Sequence, residues 1–225
     1  VQANPSVTTT YTVVGQNTLT GCSSSLNATV SVYTPPTVSV NSGSICSGGS
    51  ILLNASGAST YSWSPTTSLS PNTGASVSAS PSTTTTYIVT GIDANACSDT
   101  ALAVVTVNAI PVITVNNSSI CPGTSATLTA TGANTYSWTP SAGLNTTTGA
   151  TVVATPSIAT TYVVTGTSVN GCTQTANAVV SFKAVPVFSV NNASYCNGSS
   201  TAATLTPSPS TNLTFNWSPS TGLNQ

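Results

Sequence analysis

Six cysteines are the residues here whose type and spacing invite chemistry, and they form two interleaved series. Cys22, Cys97 and Cys172 stand 75 residues apart, and so do Cys46, Cys121 and Cys196. A thiol can ligate zinc, attack an electrophile or oxidise to cystine. Structural zinc sites use close pairs such as C-x-x-C, and none occurs. A nucleophile needs a general base, yet the chain has no His, and its only charged side chains are Asp93, Asp99 and Lys183. No enzymatic activity is expected from that inventory. Calcium wants six to eight oxygens with several carboxylates, and one period beyond Asp93 and Asp99 stand Ser168 and Gln174. No metal and no cofactor is therefore expected. Disulfides remain, and they imply an oxidising compartment.

Two pairings follow within the period, Cys46 with Cys97 and Cys121 with Cys172. Each closes a loop of about 50 residues, worth on the order of 4 kcal/mol in the chain-entropy account. Cys22 and Cys196 have no in-phase partner. They are assigned to an adjacent repeat or a neighbouring subunit, Cys196 bonding the next molecule's Cys22 if strands are exchanged.

The same period runs through other residue types. Trp63 and Trp138 are 75 apart, as are Tyr87 and Tyr162, and Pro36, Pro111 and Pro186. Thr60-Tyr-Ser-Trp63 answers Thr135-Tyr-Ser-Trp138. Such periodicity marks a tandem-repeat architecture. Residues 37–111 and 112–186 are whole repeats. Residues 1–36 match the second half of a repeat, through Pro5, Tyr11 and Cys22. Residues 187–225 match the first half, through Cys196 and Trp217, with four extra residues between them. Either the sequence is a window on a longer chain, or each molecule completes its half-domains with a neighbour's by strand addition.

The elements that must position these residues read as strands. In the first whole repeat they are expected near 37–41, 50–55, 60–64, 76–79, 84–91 and 100–108. Period-two alternation is plain in Thr37-Val-Ser-Val40 and Ala103-Val-Val-Thr-Val107. Asn170-Gly171 is a hairpin signal, with Asn95-Ala96 and Thr20-Gly21 at the matching place. Six or seven short strands in each repeat predict an all-β, Ig-like sandwich. Trp63, Trp138, Trp217, Tyr87 and Tyr162 are the expected core. Ala109-Ile110-Pro111 leads straight into the next strand without a Gly/Ser linker, so the joint between repeats is expected to be semi-rigid.

Charged residues make up 1% of the chain, against about a quarter in ordinary domains. Without a basic patch there is no electrostatic route to nucleic acid or to acidic lipid. No apolar run is long enough for a membrane helix, so no membrane insertion is expected. A surface near zero net charge needs another solubilising device. Dense hydroxyl and amide groups, or sugars on threonine, supply one; Thr83, Thr84, Thr146 and Thr147 are candidate acceptors.

Tyr87-Ile-Val-Thr-Gly-Ile-Asp-Ala-Asn-Ala-Cys97-Ser-Asp-Thr-Ala101, followed by Val104-Val-Thr-Val107, resembles the PKD-like and Ig-like repeats of large secreted and surface proteins of the Bacteroidota, including gliding-type adhesins exported by the type IX route. The resemblance covers the whole chain. The Trp-Asp-Phe-Gly-Asp-Gly run of PKD domains is replaced by Trp63-Ser-Pro65 and Trp138-Thr-Pro140, which favours the Ig-like label. The resemblance implies surface display and O-glycosylation at Asp-Ser/Thr-aliphatic motifs, which Asp99-Thr100-Ala101 fits.

Two functions are weighed. One is a structural repeat segment of an extracellular fibre, filament or adhesin stalk, its partners being further copies of the same repeats. The other is an adhesive module for surface polysaccharide, which requires a solvent-facing row of aromatic rings. The exposure of Trp63 and Trp138 separates them.

Overall fold

The computed structural model describes residues 1–197, 204–208, 212–218 and 220–221, and contains strands and no helix among them. A first hairpin is made by β1 (Thr9–Gln16) and β2 (Ser23–Val30). The first whole repeat supplies β3 (Ser39–Val40), β4 (Gly43–Cys46), β5 (Ile51–Ser56), β6 (Thr60–Ser64), β7 (Leu69–Ser70), β8 (Ser76–Ala79), β9 (Thr85–Ile92) and β10 (Ser98–Asn108). The second supplies β11 (Thr114–Val115), β12 (Ser118–Ile120), β13 (Ala126–Thr131), β14 (Thr135–Thr139), β15 (Thr151–Ala154), β16 (Thr160–Thr167) and β17 (Thr173–Phe182). Two short strands, β18 (Ser189–Val190) and β19 (Pro207–Ser208), close the series.

Each whole repeat is built from two sheets. In the first they run β3-β5-β8-β7 and β4-β10-β9-β6; in the second, β11-β13-β15 and β12-β17-β16-β14. β4 pairs parallel with β10 and β12 parallel with β17. This is the strand order of an immunoglobulin-like sandwich whose first strand is shared between both sheets. The sequence reading placed β3 within a strand at 37–41 and left out β4 and β7.

The division of that first strand has a local cause. The Asn41 side chain bonds the first sheet, its Oδ1 accepting from the Asn54 amide at 2.6 Å and its Nδ2 donating to the Leu52 carbonyl at 3.0 Å. The next residue turns to the other sheet: Ser42 Oγ accepts from the Val104 amide at 2.9 Å. One period on, Asn116 bonds Thr127 and Thr129 in the same way, and Asn117 Oδ1 accepts from the Val179 amide. Asn41–Ser42 and Asn116–Asn117 fill the breaks between β3 and β4 and between β11 and β12, and each pair holds one sheet with each side chain. The Asn clamp recurs at Asn191, which bonds Thr204 and Thr206. Sequence reasoning missed this residue, although its 75-residue period was legible.

The cores sit between the sheets. Leu53, Val77, Tyr87, Val89, Ala103 and Val105 are completely buried in the first, and Trp63 is 4% exposed. Leu128, Val152, Tyr162, Val164, Ala178 and Val180 take the same places in the second, with Trp138 also at 4%. Each indole completes its burial with a hydrogen bond, Nε1 donating to the Gly74 carbonyl at 3.0 Å and to the Gly149 carbonyl at 2.9 Å. Each tyrosine hydroxyl nearby folds back on its own turn: Tyr61 Oη accepts from the Ala58 amide and donates to its carbonyl, and Tyr136 does the same at Ala133. No buried polar side-chain atom among the described residues lacks a partner, as a dry sandwich interior requires.

By chain contacts there are two compact units, Val1–Pro111 with Thr167–Gln174, and Val112–Gly166 with Thr175–Gln225. The turn that follows β16 therefore belongs to the first unit.

Candidate functional site

The feature with covalent chemistry lies in that first unit. Cys46 is disulfide-bonded to Cys172, 126 residues later, with the Cα atoms 5.6 Å apart. Cys22, Cys97, Cys121 and Cys196 are unpaired. The expected Cys46–Cys97 and Cys121–Cys172 bonds are not formed, and strand geometry excludes them. Cys46 is aligned with Asn108, the last residue of β10. Cys97 immediately precedes Ser98, the first residue of that same strand. At about 3.3 Å per residue the two ends lie about 33 Å apart, whereas a disulfide requires Cα atoms within about 7 Å. The second repeat is built alike, with Ile120 beside Phe182 at the end of β17 and Cys172 just before its start.

What Cys46 meets instead is the hairpin turn of the following repeat. Cys172 is fully buried there. Its amide donates to Ser168 Oγ at 3.1 Å, and the Ser168 amide donates to its carbonyl at 2.9 Å. Gly171 takes a left-handed φ of 80° in this turn, at the place where Gly21 has 75° and Ala96 has 62°. Asn108 joins the junction too, its carbonyl accepting from the Ser47 amide at 2.8 Å. The disulfide therefore ties the second half of the first strand in one repeat to the β-turn of the next.

Asp99 works structurally. Its Oδ2 accepts from the Val38 amide at 2.9 Å, fixing the chain where it enters the first whole repeat. The Val38 and Thr100 amides hold its carboxyl below the usual carboxylate range. Asp93 Oδ1 caps its own turn, accepting from the amides of Asn95 and Cys97. Among the described residues no three metal-ligating side chains gather.

Burial pushes the phenols of Tyr87 and Tyr162 up. With no His and no Glu in the chain, these shifts define the pH response. A depressed carboxyl stabilises the fold above about pH 4, and that contribution is lost as pH falls through the folded-state value. A raised phenol contributes below about pH 10, and that is lost as pH rises through its folded-state value. The thermal midpoint of the thiol-blocked chain is therefore expected to stay level from about pH 5 to pH 9 and to fall on either side. A slope through neutral pH in a calorimetric series would contradict this.

Of the other residues singled out from sequence, Tyr87 and Tyr162 are completely buried, and Trp63 and Trp138 nearly so. Trp217 is only half-buried, which corrects its expected core position. In the same segment the Phe188 and Phe215 rings meet edge to face at 5.2 Å. Thr83, Thr84, Thr100 and Thr147 are exposed and Thr146 half-buried. Thr84 Oγ1 accepts from the Val107 amide, and Thr146 Oγ1 bonds the Thr148 backbone.

No family model matches the sequence, and no curated protein matches it either. Among solved structures, the DIP-gamma IG1+IG2 crystal structure is 12% identical, with 68% of this chain and 99% of that one covered at a TM-score of 0.37. A Ca2+-stabilized adhesin with which an Antarctic bacterium binds ice is 16% identical, covering 82% of this chain, with a TM-score of 0.36. The insect immune protein hemolin is 12% identical, covering 77% of this chain at 0.36. The chain spans 60% of the adhesin structure and 56% of hemolin. The fold rests on the strand order itself.

Proposed function

We propose that this chain is a structural repeat segment of an extracellular fibre, filament or adhesin stalk, in which sandwiches follow one another head to tail. The observation that carries the reading is the Cys46–Cys172 disulfide, which joins one repeat to the next. A domain that needed cystine for its own stability would place it inside the sandwich. Here each sandwich rests on its apolar core, and the bond guards the connection. Disulfides persist in oxidising compartments, which supports an extracellular or cell-surface location. Export by the type IX route and origin in the Bacteroidota belong to the same proposal, through the repeat resemblance. Glycans on Thr83, Thr84, Thr100, Thr146 or Thr147 would solubilise a surface almost without charge.

The polysaccharide-binding alternative needed rings facing solvent. Trp63 and Trp138 are turned inward and committed to Gly74 and Gly149, which leaves neither free to stack on a sugar. Electron microscopy of the native secreted material tests the reading. Thin, unbranched fibres are expected. Dispersed compact particles that bind polysaccharide would replace it with the alternative.

A further inference from the structure

Asparagine is abundant in this chain, and it is chemically labile. Its side-chain amide carbon is open to attack by the backbone nitrogen of the next residue. The attack needs a side chain free to turn and a nitrogen open to approach. At its clamped positions the fold withholds the first condition. Asn41, Asn54, Asn116, Asn117 and Asn145 each accept a hydrogen bond at Oδ1 from a residue elsewhere in the fold, at 2.6–2.8 Å.

Asn170 is held by none of this. It stands exposed at the tip of the β16–β17 turn, beside Val169 at 80% exposure. Its side chain has no hydrogen-bond partner among the described residues. Gly171 follows it and has no side chain to shield its nitrogen. The matching turn of the first repeat carries Asn95, also exposed, but there the methyl group of Ala96 crowds the approach.

We infer that Asn170 is a site of spontaneous deamidation, and that the Cys46–Cys172 disulfide governs its rate. The Gly171 nitrogen gives its proton to solvent hydroxide, and its electron pair bonds to Asn170 Cγ. The Cγ–Nδ2 bond breaks, and Nδ2 takes up a proton and leaves as ammonia. Water then adds to one or the other carbonyl of the cyclic imide and opens it to aspartate or isoaspartate. One water is consumed and one ammonia released, with no oxidation. Either product places a new carboxylate on the turn, in a chain whose acidic side chains are Asp93 and Asp99. Isoaspartate also adds a methylene to the turn's backbone.

The control lies in the turn's own bonds. In the closed turn the Gly171 amide donates to the Ser168 carbonyl at 3.0 Å, so the attacking nitrogen is engaged. Attack therefore proceeds from the fraction of turns that are locally open, and such openings are far less costly than global unfolding. Cys172, two residues beyond Asn170, is fully buried and bonded to Cys46 at the end of β4. That bond holds one limb of the turn and lowers the open fraction. Without it the turn is closed by hydrogen bonds alone, and ring closure quickens.

The oxidised chain and the Cys46→Ser, Cys172→Ser double variant are incubated in warm, mildly alkaline buffer. Samples are then reduced, alkylated and digested with chymotrypsin. Fragment masses locate each amide converted to acid, and a protein isoaspartyl methyltransferase reports isoaspartate. In the oxidised chain Asn170 is expected to convert several-fold faster than Asn95, and in the double variant several-fold faster again. Gly171→Ala is expected to bring Asn170 down to the rate of Asn95. That variant is expected to fold, because no atom lies within 4 Å of the added Cβ and Ala96 already takes a φ of 62° at the matching place. The Asn197-Gly198 pair falls in a separate peptide after Tyr195 and is read apart. Conversion at Asn95 that kept pace with Asn170, or an unaltered rate in Gly171→Ala, would overturn the site. Equal rates in the oxidised chain and the double variant would overturn the control by the disulfide. So would an equal rise at the clamped Asn117, which marks global unfolding rather than release of one turn.

Discussion

Replacing both Cys46 and Cys172 with serine is expected to lower the unfolding free energy of the oxidised chain by about 5 kcal/mol, from the chain-entropy relation for a loop of this length. The bond spans 126 residues, so it restrains the unfolded chain more than either one of the loops of about 50 residues read from the sequence would have done. The native sandwiches should keep their β-sheet circular dichroism, because Cys46 lies at the end of β4 and Cys172 in a turn, outside both clusters of core side chains. The measurement is a guanidinium titration of the 22.2 kDa monomer without reductant, followed by its repeat with reductant. Wild type should fall to the double variant's midpoint when reduced, and the variant should not move. Cys97→Ser and Cys121→Ser supply the counter-test. In the monomer each is expected to be neutral, since neither residue is bonded. A loss at Cys97 equal to that at Cys46 would restore the pairing within one repeat and remove the covalent connection between repeats.

Trp138→Ala is expected to cost about 3–5 kcal/mol, in the range measured for large-to-small core substitutions. The indole is 4% exposed and packs within the cluster that contains Leu128, Tyr162 and Val164. Truncation removes that apolar area and leaves a cavity between two sheets whose strands are held by ladder bonds and cannot easily close on it. It also leaves the Gly149 carbonyl without its Nε1 donor. Trp138→Phe separates these effects. It keeps most of the ring and loses the hydrogen bond, so it should cost less, by about 1–3 kcal/mol for the unsatisfied acceptor plus a smaller packing loss. Trp63→Ala should behave alike, because its bond to Gly74 repeats the geometry. If Trp138→Ala left stability unchanged while abolishing polysaccharide binding, the indole would be a contact residue and the structural reading would give way to the adhesive one.

Both results bear on what holds a domain of this size. Small secreted domains often need cystine to supplement a thin core. In this chain the supplement is side-chain hydrogen bonding: the Asn41 and Asn116 clamps, the Tyr61 and Tyr136 turn locks and the two indole bonds. That arrangement releases the cysteines from service inside the sandwich. It also accounts for the abundance of Asn, Ser and Thr, several of which bond within the fold. Ser39 and Ser56, Thr114 and Thr131, and Thr10 and Thr29 meet hydroxyl to hydroxyl across neighbouring strands.

Much of this was written in the chain itself. The 75-residue period, six of the eight strands of the first whole repeat and the inward Trp63, Trp138, Tyr87 and Tyr162 are local or periodic properties, and alternation along a strand fixes which side chains face the core. Cysteine pairing is not of that kind. It depends on which strand ends lie within about 7 Å of each other, and that was decided when Asn41 and Ser42 sent β3 and β4 to different sheets and laid β4 parallel to β10. A parallel partner carries Cys46 to the far end of the strand that begins after Cys97, and brings it instead to the turn of the next repeat. Two hydrogen bonds from adjacent side chains thus determine whether the disulfide closes a domain or joins two of them.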